Sequence, residues 1–231
     1  MNTGFNSRRR LLSTLAILCA TAGFAVPAVL RTAAAAEPPK EWDGLQLTKS
    51  KRVDRLYVRP GASLSGYKSV RLERLQVAFA KDWKPNDTRV LSQRLTNTDF
   101  ENIKNGLADQ FAKTFTEKLT SGGYKIVTEA GDDVLDVTPL IVDLYIAAPD
   151  KPAAGRSRTY TADPGRMTLV MELRDSDTGQ ILARALDAEA PSSGFFQVAS
   201  SVSNMAAADR VITMWASQLR DALDEANKTL K

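Results

Sequence analysis

Carboxylates are the residues whose type and spacing come nearest to a catalytic set in this chain. Asp132, Asp133 and Asp136 fall within AGDDVLD, and Asp143 follows in the same apolar stretch. Two acids sharing a cleft could divide general acid and general base work, or hold a cation between them. The same residues also describe a solvated loop running into a strand, and acid–base work would need a cleft that perturbs one of them. A second set, Asp175, Asp177 and Gly179 in DSDTG, has the opening spacing of a calcium loop. That loop needs a bidentate glutamate at its twelfth position, and position twelve from Asp175 is Leu186, so the stretch reads as a turn of Asp, Ser and Gly.

A third set is basic. Lys151, Arg156, Arg158 and Arg166, with Tyr160 among them, lie in the connection APDKPAAGRSRTYTADPGR. Such a loop suits an anionic partner such as a cell-wall polymer or a lipid head group, or another envelope protein. Its length is equally that of a disordered connection. RPGASLSGY, Arg59 to Tyr67, is a second candidate surface, although its Pro and Gly residues have a plain use in fixing turns.

Absent residue types exclude more than present ones establish. The chain has no histidine and one cysteine, Cys19. That removes Ser–His and Cys–His catalysis, imidazole metal sites and the usual proton shuttle near neutral pH. No residue is assigned as catalytic, and no cofactor or metal is assigned. The first reading is a non-enzymatic binding or accessory protein. The alternatives are a hydrolase of envelope glycans using carboxylates alone, with Asp132, Asp133 or Asp143 as candidates, and a structural protein self-associating through a strand edge.

The first 36 residues read as an address. Arg8, Arg9 and Arg10 precede an apolar run, Leu11 to Leu30, and Ala34 and Ala36 supply the small side chains that cleavage before Glu37 requires. The apolar run has the length of a membrane span, but Gly23 and Pro27 weaken it as an anchor. SRRRLLS resembles the twin-arginine export signal at Ser7, Arg8, Arg9, Leu11 and Leu12, and Arg31 is the late positive charge that suits that route. The alternative is a basic start to a general secretory signal. Cys19 follows Leu18 rather than a small residue, which argues against lipid attachment there.

Cleavage changes the electrostatic reading. The leader holds Arg8, Arg9, Arg10 and Arg31 and no acid, the whole excess of Lys plus Arg (31) over Asp plus Glu (27). Residues 37–231 are therefore balanced, with no overall footprint for nucleic acid, and thiol-free, with no disulfide partner.

The elements that must position these residues follow from periodicity. Residues 37–50 read as a mobile segment, of which at most Trp42 and Leu45 tuck back onto the domain. Leu56 and Val58 alternate in a short strand. Tyr67 to Phe79 reads as a second strand whose apolar phase slips near Glu73 and Arg74, either a bulge or a stretch covered on both faces. Thr98 and Glu101 form a capping box, and Phe100, Ile103, Leu107, Phe111, Phe115 and Leu119 make one helical stripe that ends at Gly122. YKIV is a short strand, parallel to one before the helix. DVLDVTPLIVDLYIAAP is a long strand in which Pro139 argues for an edge position or a bulge. RMTLVMELRDSDTGQILARALDAEA reads as a hairpin, with Met167, Leu169, Met171 and Leu173 on one face. A second amphipathic helix, Asn204 to Asn227, turns Val211, Ile212, Trp215, Leu219 and Leu223 inward and Asp209, Arg210, Arg220, Asp221 and Asp224 to water. This order predicts an α/β (α+β) two-layer sandwich, a mixed sheet with both helices on one face. The expected boundaries are a signal peptide at 1–36, the mobile segment at 37–50 and a single domain at 51–231.

Four stretches together, the run from Ser50 to Trp83, GGYKIV, LIVDLYIAAPD and GRMTLVMELRDSDTGQILARALD, resemble the bacterial family called domain of unknown function 3313. The likeness extends over nearly all of residues 37–231 and is most specific in YVRPGASLSGY. It implies an exported envelope protein, of a kind often lipidated, with no activity to carry over.

Overall fold

The computed structural model describes residues 37–87, 94–146, 159–161, 165–189, 197–199 and 201–228. In chain order the elements are β1 (Glu41–Trp42), β2 (Leu45–Thr48), β3 (Arg55–Val58), β4 (Ser69–Leu72), β5 (Gln76–Phe79), α1 (Asn97–Ser121), β6 (Lys125–Ile126), β7 (Val134–Tyr145), β8 (Thr159–Thr161), β9 (Arg166–Asp175), β10 (Ile181–Glu189), β11 (Gln197–Ala199) and α2 (Ser201–Lys228). The main sheet runs β1-β2-β3-β10-β9-β7-β4-β6, with β5 also on β7, and β8 pairs β11 in a separate two-stranded sheet. Pairing is antiparallel from β1 to β7, while β4 and β5 run parallel to β7 and β6 parallel to β4, so the sheet is mixed as expected.

Both helices pack on one face of this sheet. Met167, Leu169, Met171 and Leu173 of β9 are buried together with Phe111, Phe115 and Leu119 of α1 and Ile212, Trp215 and Leu223 of α2. The expected stripe on α1 divides between two clusters. Its later members enter the main core, while Phe100 packs in a smaller cluster with Trp83 and Leu95, and Ile103 touches both. Phe79 stacks on Trp83 at 4.6 Å, and Phe100 meets both rings edge-on.

Four local expectations are corrected. The helix cap is Thr96, not Thr98: its side chain accepts from Asp99 N, and the Asp99 carboxylate accepts from Thr96 N. Starting there sets Leu95 before the cap and Phe100 at the fourth helical position, a hydrophobic staple that a start at Thr98 would forfeit. Residues 37–50 carry β1 and β2 rather than a loose tail. Leu45 is fully buried, Trp42 meets Tyr57 edge-on at 5.6 Å, and the Tyr57 hydroxyl donates to Pro39 O.

Pro139 lies on central β7, not on an edge. It is tolerated because pairing on that side breaks between Leu72↔Val137 and Gln76↔Leu140, leaving no partner for the missing N–H. That break takes four residues against three on β7, which is the predicted slip near Glu73 and Arg74. The bulge on β7 comes later. The steps Val77 to Phe79 and Arg166 to Thr168 each face one extra residue there, and Asp143 sits at φ 55°.

On α2, three residues expected in water are engaged by neighbours because the helices lie side by side. Asp209 accepts from Gln110 and Thr114 of α1, Asp224 accepts from the Tyr124 hydroxyl at 2.8 Å, and the Arg220 stem runs beneath Gly122.

Candidate functional site

Small side chains where large ones would close the core leave a cavity of about 170 Å³ between α2, the sheet and residues 50–64. Leu56 and Val58 of β3 point inward and pair across with Ala185 and Ala183 of β10. With Ala62 and Ala222 these alanines leave open the space that Met171, Leu173 and Leu219 surround. A closed cavity of roughly 150 Å³ with apolar walls is large enough to take a small apolar ligand.

One buried carboxylate stands at its floor. Asp187 is 5% exposed; it accepts from Trp215 Nε1 at 2.8 Å and from Asp54 N at 3.0 Å. Asp54 in turn accepts from Ala188 N at 3.0 Å, which fastens the 50–54 segment to β10. Burial, then the charges of Asp187 and Asp54, raise the nearby Glu189 carboxyl above its ordinary range. Each Asp187 oxygen thus has a protein donor, so its role here is to position the indole and the segment above it.

The wall facing α2 is built from the local sequence. Ser50 Oγ accepts from the N–H groups of Arg52 and Val53, which bends the chain. Gln218 Nε2 donates to Arg52 O at 2.6 Å, and the Arg52 guanidinium donates to Glu225 at 2.7 Å. The second wall is the RPGASLSGY stretch: Ala62, Ser63 and Leu64 line the cavity. Gly61 at φ 78° and Gly66 at φ 94° make its corners, and Asn227 accepts from Gly66 N and donates to Tyr67 O, tying it to α2. A shallow hollow lined by Lys40, Lys49, Lys51 and Arg55, with Glu41 and Asp54, adjoins the cavity and shares Ser50 with it.

The acids singled out from sequence do not converge. Asp133 holds the start of β7 by accepting from Ser69, and Asp136 is gripped by Arg71 at 2.8 and 2.6 Å on the opposite sheet face. Asp143 occupies the bulge ten strand residues from Asp133, roughly 30 Å away. Asp132 is exposed before the strand. Asp143 is thus too far from the others to share a scissile bond with them, which needs acids within about 10 Å; Asp132 and Asp133 are adjacent but exposed, and neither lines the cavity.

Asp175 closes a turn, accepting from Thr178 N and Oγ1 at 2.8 and 2.7 Å and from the Tyr67 hydroxyl at 2.7 Å. The Thr178 hydroxyl, then Tyr67, lower its carboxyl from 3.8 to about 2. A depressed folded-state pKa adds stability above the unfolded value and loses it as pH falls toward about 2. After allowance for solvent screening the loss between pH 4 and pH 2 is about 1 kcal/mol, and Tyr67→Phe should shrink it. Urea midpoints of both proteins across that range check this. Equal acid slopes would exclude the Tyr67 contribution.

Of the basic loop, Lys151, Arg156 and Arg158 lie outside the described residues, as do Arg8, Arg9, Cys19, Ala34 and Ala36 of the leader. Tyr160 is in β8, opposite Val198 of β11. Arg166, expected as a partner contact, is held by Asp82 at 2.5 and 2.7 Å and lies over the Tyr145 ring at 4.5 Å. It fastens the start of β9 to the loop after β5.

Sequence reading did not single out the ion pairs on the open sheet face. There Arg184, the 172 and 174 side chains and Asp43 form a chain of ion pairs, with the Arg184 guanidinium 4.0 Å above the Trp42 ring. The available signal was charge alternating with apolar residues at the end of the strand, Glu172 and Arg174 on either side of Leu173.

The profile of the family described as "Protein of unknown function (DUF3313)" matches residues 36–219. The chain belongs to that family. Its membership agrees with the stretches that resemble the family in sequence, YVRPGASLSGY included, and that stretch forms a wall of the cavity. No curated protein matches the chain. Among solved structures, PelC from Paraburkholderia phytofirmans, a dodecamer, is similar at 10% identity and TM-score 0.35, with 76% of this chain and 96% of that one covered. A minor lipoprotein from Acinetobacter baumannii is similar at 13% identity and TM-score 0.30, with 70% and 97% covered. A Xanthomonas campestris protein of family-model DUF330 is similar at 13% identity and TM-score 0.32, with 71% and 86% covered.

Proposed function

We propose that this DUF3313 protein is exported to the bacterial cell envelope and works there as a non-enzymatic binding or accessory module, with the cavity under residues 50–64 as its ligand site. The cavity carries the reading: it has apolar walls and a single buried carboxylate already occupied by the protein's own donors. Such a site supplies affinity through apolar burial and shape, and offers no acid or base to a substrate. The glycan-hydrolase alternative loses support because Asp143 stands far along the strand from Asp132 and Asp133, and none of the three lines the cavity. Export is supported by the leader's layout. Among the described residues no helix is long and apolar enough to cross a membrane.

Fractionation of cells producing the full chain with a carboxy-terminal tag tests the compartment. The expected product lies in the periplasmic fraction and begins at Glu37, and Arg8→Lys with Arg9→Lys should keep it inside if the twin-arginine route is used. A chain still beginning at Met1 and held in the inner membrane would refute export.

A further inference from the structure

We infer that the cavity takes the aliphatic chain of a free fatty acid, whose carboxylate is held at the mouth by the basic segment Lys49–Arg55. This rests on the reading of the cavity as a binding site and names what fills it.

The walls are aliphatic: Val53, Leu56, Leu64, Met171, Leu173 and Leu219 contribute branched or flexible chains, and the one aromatic ring, Trp215, is fixed by its bond to Asp187. Walls of this kind favour a flexible alkyl chain over a flat polar ring. The volume of about 170 Å³ accommodates roughly six to eight carbons, judged by the benzene-sized ligand that a slightly smaller cavity holds. A longer chain would leave its head outside.

Charge at the mouth selects the head. Ser50, Arg52, Ser63 and Gln218 are polar lining residues, and Arg52 is half-exposed. Directly beside Ser50 lies the hollow bearing Lys40, Lys49, Lys51 and Arg55 against the acids Glu41 and Asp54. Cations outnumber acids there in a protein whose residues 37–231 are otherwise balanced. A carboxylate emerging at Ser50 meets Arg52 and the lysines together, whereas a neutral head gains nothing from them. The Arg52–Glu225 pair is exposed on both sides, so exchanging Glu225 for a ligand carboxylate has little cost. An anionic single-chain amphiphile is therefore complementary along its whole length.

Calorimetric titration with decanoate, using protein purified from the envelope of cells producing the full chain, tests this. One decanoate should bind per chain. Ala222→Phe, which fills the cavity from a half-buried helix position, should weaken binding about tenfold or more while leaving the thermal midpoint near that of the parent. Arg52→Gln should weaken decanoate about threefold, the scale of one exposed ion pair, and leave decanol unchanged. Phosphatidylglycerol vesicles, the other source of an acyl chain with an anionic head, should neither bind nor compete. The proposal is overturned by absence of saturable decanoate binding, by undiminished binding to a folded Ala222→Phe protein, by equal effects of Arg52→Gln on decanoate and decanol, or by binding to the vesicles alone. Decanol binding that Ala222→Phe abolishes, with no binding of decanoate, would overturn the fatty acid while keeping the cavity as a binding site, so the two failures are distinguishable.

Discussion

Phe115→Ala should cost the protein about 4 kcal/mol of stability, the range for deleting a fully buried aromatic side chain. Phe115 has no exposed surface and stacks on Phe111 at 3.9 Å between centroids, in the layer where α1 meets the sheet. Its neighbours are held by the strands on one side and by α2 on the other, so the site cannot collapse and the lost contacts are not replaced. Against a typical total of about 5–15 kcal/mol this takes a large share of the stability. Phe100→Ala is the matched comparison. Phe100 is half-buried in the satellite cluster beside Trp83 and Leu95, and its loss should cost about half as much. Urea unfolding of the two variants measures both. Equal losses would show that the two clusters are not the separate units described.

Arg184→Met is the second large effect, expected to remove about 3 kcal/mol. The Arg184 side chain is 9% exposed and sits between Glu172, itself 15% exposed, and Asp43. Removing the guanidinium leaves a half-buried carboxylate with Arg174 as its remaining partner, and stranding a buried charge is costlier than deleting the whole pair. It also strips the cation from the Trp42 ring, loosening β1 and β2 at the sheet edge. Combining it with Glu172→Leu should recover a good part of the loss. A double variant no more stable than Arg184→Met would show that packing on Trp42, and not the charge, is what Arg184 supplies.

Elements with a strong repeating pattern were legible in the sequence, and those governed by pairing were not. The stripes of α1 and α2 and the alternation of Met167 to Leu173 mark their inner faces because helical and strand periods differ. The slip near Glu73 was legible for the same reason, since an extra residue reverses strand parity. The cap was misplaced because Thr96 and Thr98 each have an acid three residues later, and only the packing of Leu95 against Phe100 chooses between them. Residues 41–48 passed for a tail because two-residue and four-residue strands are too short to show a period; β3 and the Arg184 cluster order them. Pro139 pointed to an edge because the break in its neighbour is visible only in the pairing.

The candidate site was less legible still. RPGASLSGY could be singled out as a surface, but a cavity arises from what is missing. Ala62, the Ala183 and Ala185 pair of β10, and Ala222 are far apart in sequence, and only the fold gathers them. The acids drew attention instead, and none of Asp132, Asp133, Asp136 and Asp143 lines the cavity.

The most direct test is methyl NMR of the intact protein titrated with decanoate. Shifts confined to Val53, Leu56, Leu64, Met171 and Leu219, saturating with one ligand per chain and absent in Ala222→Phe, are what the cavity predicts. Shifts on the opposite sheet face at Leu140, Val170 and Leu186, with the cavity methyls unmoved, would contradict it.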